Sequence, residues 1–134
     1  EAAIKCKIPQ VVSVGACDMV NFGPMDTIPE QFSSRNLYKH NPTVTLMRTT
    51  VPENQKIGAM LASKWNQTET DMAILLPEKG VSFDGVEERK ALFDAIENGI
   101  DNGHVEIIKL DCNINDKLFA ETAAQKLIDL MEKK

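Results

Sequence analysis

A chain of 134 residues, 43% hydrophobic, is expected to build one core and one domain. Its net charge of −5 argues against a nucleic-acid surface or an anionic membrane surface, since either would repel it on average. Cys6, Cys17 and Cys112 are odd in number and lack CxxC spacing, so they suggest neither a disulfide framework nor a zinc site and lead to the expectation of a reducing, cytoplasmic home.

The chain opens at Glu1 inside what reads as a helix tail, Glu1 to Lys5, and is expected to be a piece of something longer. A β-branched run, Val11 to Val14, reads as the first buried strand. The segment from Gly15 to Thr43 follows with no sustained period. It is too long for an idle connection in a compact domain and is expected to cover a ligand crevice with irregular backbone. Val44 to Met47 reads as the second strand. Glu53 to Trp65 then has helical spacing, with Ile57, Met60, Leu61 and Trp65 on one stripe. Met72 to Leu76 is the third strand. Val86 to Ile100 repeats the helical pattern through Leu92, Phe93, Ile96 and Ile100. Val105 to Leu110 is the fourth strand, and Lys117 to Met131 is the last helix, carrying Phe119, Ala123, Leu127, Leu130 and Met131. Strand and helix alternate from Val44 onward, and continuous apolar strands in that setting predict parallel pairing. The fold class is α/β: an open, mainly parallel sheet with helices on both faces, a Rossmann-like or flavodoxin-like three-layer sandwich. No run approaches the roughly 18 to 20 apolar residues of a membrane span.

In such a sheet ligands bind beyond the carboxyl ends of the strands, so the four following loops are where chemistry is expected. They supply Asp18, Asn21 and Asp26; Arg48, Thr49 and Thr50; Glu78, Lys79, Gly80 and Ser82; and Asp111, Asn113, Asn115 and Asp116. In "MRTTVPEN", Thr50 and Glu53 have capping-box spacing. The same helix start, with Arg48 and Thr49, also suits a phosphate or carboxylate. "LPEKGVS" offers Lys79 as a point charge beside Gly80, but it is not a P-loop, because no GxxxxGK[ST] occurs in the chain. "DCNINDKLF" reads as a helix entry with Asn115 or Asp116 as N-cap, and its oxygens also suit a ribose hydroxyl or magnesium. Asp18, His40 and Asp116 are the candidates for a general base, whereas His104 precedes a strand, at the wrong end of the sheet. No pattern for a nucleophile paired with a base is present.

The peptides "VVSVGACDMVNFGPMDTIP", "HNPTVTLMRTTVPEN", "LLPEKGVS" and "NINDKLFA" occur in the order found in a large uncharacterised two-domain family. That family includes the tomato mosaic virus resistance protein of plants, and the chain resembles it from Ile8 to Ala120. The resemblance implies tandem Rossmann-like domains, of which residues 1–134 form the C-terminal portion of the second. It further implies ATP binding, with magnesium as companion, and a protein-binding role like that of the plant member. Its motifs carry over onto Asp18, Asn21, Gly23, His40, Asn41, Arg48, Thr49, Thr50, Lys79, Gly80, Ser82, Asn115 and Asp116. There are two departures. Asn113 stands where the family commonly has His, removing any acid–base role there. After Ser82, Phe83 and Asp84 lead almost directly into the helix where the family has an insertion. The functional expectation is binding of a small phosphorylated or carboxylated ligand, plausibly a nucleotide. The alternatives are a hydrolase or lyase acting on a small acid or sugar derivative, and a protein-interaction domain. The expected macromolecular partner is the N-terminal domain or a second copy, meeting an exposed sheet edge.

Overall fold

The computed structural model describes residues 2–132. In chain order its elements are α1 (Ala2–Lys5), β1 (Gln10–Ser13), β2 (Met19–Phe22), β3 (Leu37–Asn41), β4 (Val44–Arg48), α2 (Val51–Trp65), β5 (Met72–Pro77), α3 (Val86–Gly99), β6 (Val105–Leu110) and α4 (Lys117–Glu132). Of the expected helix tail, Glu1 lies outside the described residues and Ala2–Lys5 is helical.

The strands form two three-stranded sheets. One is parallel, in the order β1-β5-β6, with Val12 beside Ile74 and Ile74 beside Ile107. All six residues of β5 are buried, because a central strand covered on both faces has no solvent side for a polar residue. Alternation then sorts its side chains into two layers. Met72, Ile74 and Leu76 pack with Val14, Trp65, Leu92, Phe93 and Ile96 under α2 and α3. Ala73 and Leu75 pack with Cys112, Phe119 and Leu130 under α4. Helices therefore cover both faces of the sheet. Burying each large aliphatic side chain contributes roughly 1.5–3 kcal/mol, which makes β5 the main anchor of the core.

α2 begins with a complete capping box: Glu53 N–H donates to Thr50 Oγ1, and Glu53 Oε2 accepts from Thr50 N–H. It packs against α3 at the closest approach glycine allows. A Cβ on Gly58 would lie 2.7 Å from Ala95 Cβ, and one on Gly99 would lie 2.7 Å from Ala62 Cβ.

The second sheet corrects the reading of residues 15–48. Val44–Arg48 is a strand, but it does not join the parallel sheet. It is the centre of an antiparallel sheet in the order β2-β4-β3. The reason is local. Only Pro42 and Thr43 separate β3 from β4, and so short a turn joins antiparallel neighbours, whereas a parallel pair needs a long crossover. Asn41 Oδ1 closes the turn by accepting from Thr43 N–H and Oγ1 at 2.9 and 3.0 Å. The supposed irregular cover therefore consists largely of two strands and two 3-10 turns, Met25–Thr27 and Glu30–Phe32. Phe32 from the second turn packs against Phe22 of β2, the rings tilted by 44°. Among the described residues, no helix is long and apolar enough to cross a membrane.

Candidate functional site

The antiparallel sheet presents one face to an open groove of about 550 Å³. Strand alternation places Met19 and Asn21 of β2, Tyr38 and His40 of β3, and Val44 and Leu46 of β4 on that face. Pairing slips by one residue between Lys39 and Asn41, so His40 is the extra residue of a bulge, a device that re-aims a side chain. The remaining wall comes from the loop after β5, through Ser82 and Phe83.

Phe83 carries most of the contacts at this wall. Its ring lies 5.8 Å from that of Tyr38, tilted by 42°. The Arg48 guanidinium stands 4.7 Å from the Phe83 ring centroid, within cation–π range, and Arg48 Nε donates to Phe83 O at 2.7 Å. Behind the wall lies Asp18, only 4% exposed. Its Oδ2 accepts from Ser82 Oγ at 2.8 Å and from Phe83 N–H at 2.6 Å. Its Oδ1 is buried and has no hydrogen-bond partner in the protein. The carboxylate thus ties the loop after β5 to the start of β2, joining the two sheets.

Thr49 is fully engaged in the same junction. Its N–H donates to Asp18 O at 3.0 Å, its hydroxyl donates to Cys17 O at 2.8 Å, and it accepts from Asn54 Nδ2 at 2.9 Å. Thr50 is the N-cap of α2, and the Glu53 carboxylate already lies at that helix end. Arg35 clamps Glu53 with 3.2 and 2.6 Å contacts and donates to Arg48 O at 3.0 Å. Its hydrogen bond, followed by the two Thr50 contacts, holds the Glu53 carboxyl below the usual range against the opposing effect of desolvation. The N-terminus of α2 is therefore occupied by the protein's own anion, and Arg48 is a cation set behind the groove's Phe83 wall.

Lys79, Gly80, Asn115 and Asp116 form a separate cluster at the carboxyl ends of β5 and β6. Lys79 pairs with Asp111 at 3.1 Å on the surface. Gly80 has φ +98°, where a Cβ would meet Arg89 and Asp84 side-chain atoms at 2.9 Å, and its carbonyl accepts from Ile114 N–H. Asp116 Oδ2 accepts from Asn113 N–H at 2.7 Å, and Asn115 Nδ2 reaches Val81 O at 3.5 Å. These polar atoms fold the loop onto itself. Asp84 and Arg89, paired at 2.7 Å with both side chains mostly buried, brace the chain between this cluster and Ser82.

The structure therefore brings together Asp18, Asn21, His40, Arg48 and Ser82, with Thr49 and Thr50 positioning them, and leaves Lys79, Gly80, Asn115 and Asp116 apart. Sequence reasoning missed Tyr38, Phe83 and Arg35. Burial pushes the Cys17 thiol up, with the adjacent Asp18 charge adding to the effect, so this cysteine is held as thiol beside the site.

Residues 1–131 match the uncharacterised protein family (UPF0261) C-terminal domain. A UPF0261 protein of Clostridium tetani is 51% identical over 99% of this chain. The UPF0261 protein RA0729 of Rhizobium meliloti is 41% identical over 96%. The ToMV resistance protein Tm-1 of Solanum lycopersicum is 39% identical over 99%. The chain spans 35% of the length of each bacterial relative and 19% of the tomato protein.

Proposed function

This chain belongs to the uncharacterised protein family UPF0261, as its C-terminal domain, and from that premise we propose that it binds a small anionic ligand in the groove over its antiparallel sheet. The observation that carries the reading is the lining itself. A cleft of about 550 Å³ is walled by apolar and aromatic side chains, with a few polar groups set among them, and both its size and its composition are those of small-molecule sites. Tyr38 and Phe83 offer a surface for a planar or apolar moiety. Arg48, beside Phe83, supplies the charge for a phosphate or carboxylate, while Asn21, His40 and Ser82 fix orientation. A nucleotide combines both parts, and ATP with magnesium is the form that the family resemblance puts first.

The test is a thermal-shift screen of nucleotides, sugar phosphates and small carboxylic acids, with and without magnesium, because a ligand that binds the native state raises its melting temperature. The stabilisation is expected to disappear in Tyr38→Ala and Arg48→Met. A screen with no stabilising ligand, or a hit that survives both substitutions, overturns the reading. A hydrolase or lyase is the second reading, favoured by the Ser82 hydroxyl held on Asp18 beside the groove. In that case Asp18→Asn abolishes turnover while leaving the fold intact.

A further inference from the structure

The two edges of the parallel sheet are built differently. Both β1 and β6 pair only with β5 among the described residues. The β6 edge carries two charges, and each is tied to a helix: Glu106 to Lys126 of α4, and Lys109 to Glu97 of α3 at 2.7 Å. Charged side chains on an edge strand discourage further pairing. β1 reads Gln-Val-Val-Ser and has none. Ile8, just ahead of it, is 51% exposed, and Gln10 Nε2 is buried without a partner.

α4 repeats this asymmetry. Its inward stripe is Phe119 and Leu130, both buried, with the half-buried Ala123 between them, packed with Val11 of β1 and Leu75 of β5. At 3.6 residues per turn, Lys126 lies on one side of that stripe, and its ion pair identifies that side as facing β6. Leu127 and Met131 lie on the other side, 37% and 59% exposed. That flank therefore overhangs the open edge of β1. An uncharged strand edge beneath an exposed apolar helix flank has the shape of a vacant strand-and-helix position.

We propose that this face seats a β-strand and apolar helix supplied by further chain of the kind the longer relatives carry. The share of those relatives that this domain accounts for, 35% and 19%, provides the material. The strand pairs with β1 and extends the sheet, and the accompanying element covers Leu127 and Met131. The inference is independent of any ligand in the groove.

The experiment compares hydrogen exchange, with mass measured by light scattering, in the 134-residue chain and in the full-length bacterial relative that is 51% identical to it. In the isolated chain the outward amides of Gln10–Ser13 are expected to exchange about tenfold or more faster than those of β5. In the longer protein the equivalent strand gains protection. Leu127→Lys with Met131→Lys, cations near the carboxyl end of α4 where the helix dipole favours them, should cost the isolated chain no more than a few degrees of melting temperature and strip that protection from the longer protein. An equally fast-exchanging β1 in both proteins overturns the proposal. So does concentration-dependent protection in the isolated chain that the double substitution abolishes, which would identify the occupant as a second copy.

Discussion

Replacing Asp18 tests whether one buried carboxylate holds the two sheets together. Its Oδ2 accepts both the Ser82 hydroxyl and the Phe83 N–H, and hydrogen bonds to a charged group contribute about 1.5–3 kcal/mol each. Asp18→Ala removes both and leaves the Phe83 N–H without its acceptor, an expected loss of ~3–5 kcal/mol. Asp18→Asn can keep its amide oxygen where Oδ2 sits, so both donors stay satisfied by bonds about half as strong. Loss of the buried charge offsets part of that, while the amide NH2, placed where Oδ1 has no hydrogen-bond partner, adds to it, for a net loss of ~1–3 kcal/mol. Ser82→Ala removes one donor and should fall between wild type and Asp18→Ala. Urea melts followed by far-UV circular dichroism measure all three, and in a heat melt each kcal/mol corresponds to roughly 3–5 °C. An Asp18→Ala variant within about 1 kcal/mol of wild type refutes the latch. Equal loss in Asp18→Asn and Asp18→Ala would show that charge, not acceptor geometry, joins the loop to β2.

Gly58→Ala sets helix propensity against packing. Alanine gains ~1 kcal/mol in a helix, but its Cβ would sit 2.8 Å from Leu92 O, a backbone atom that cannot rotate away. Overpacking costs about 1–3 kcal/mol, so chemical denaturation should show net destabilisation, and a more stable variant contradicts the close α2–α3 contact. Glu53→Gln tests the sign of the acid response. Because Arg35 holds the Glu53 carboxyl below its usual 4.5, its contribution is present above that value and is lost as pH falls through the lower folded-state value. Wild type should therefore exceed Glu53→Gln in stability at pH 7 and converge on it in acid, as followed by melting temperature against pH. Thiol labelling at pH 8 should find Cys6 fast and exposed, with Cys17 and Cys112 slow. Burial raises both slow thiols, and nearby acidic charge adds to it: Asp18 for Cys17, Asp116 and Asp111 for Cys112.

Parts whose interactions are local, or whose burial is two-sided, are legible in the order of apolar and polar residues. "MAILLP" could only be an interior strand, since both faces are covered. Thr50 and Glu53 form their capping box within one helical turn, and the apolar stripes of α2, α3 and α4 mark the sheet-facing sides in part: Trp65, Leu92, Phe93, Ile96, Phe119 and Leu130 are buried, whereas Met60, Leu127 and Met131 on the same stripes stay exposed. Only the pairing of β3 with β4 makes "LYKHN" a strand, and it seats "VTLMR", legible as a strand from its apolar run, in the antiparallel rather than the parallel sheet. A strand with four exposed residues out of five has no inward run to read, and it becomes a strand because a two-residue turn folds it onto β4. The same holds for the site. Asp18 meets Ser82 across 64 positions, Arg48 meets Phe83 across 35, and Arg35 meets Glu53 across 18. Such contacts depend on how two sheets are set against each other, and a one-dimensional pattern of apolar and polar residues carries only which side each residue faces, not what waits there.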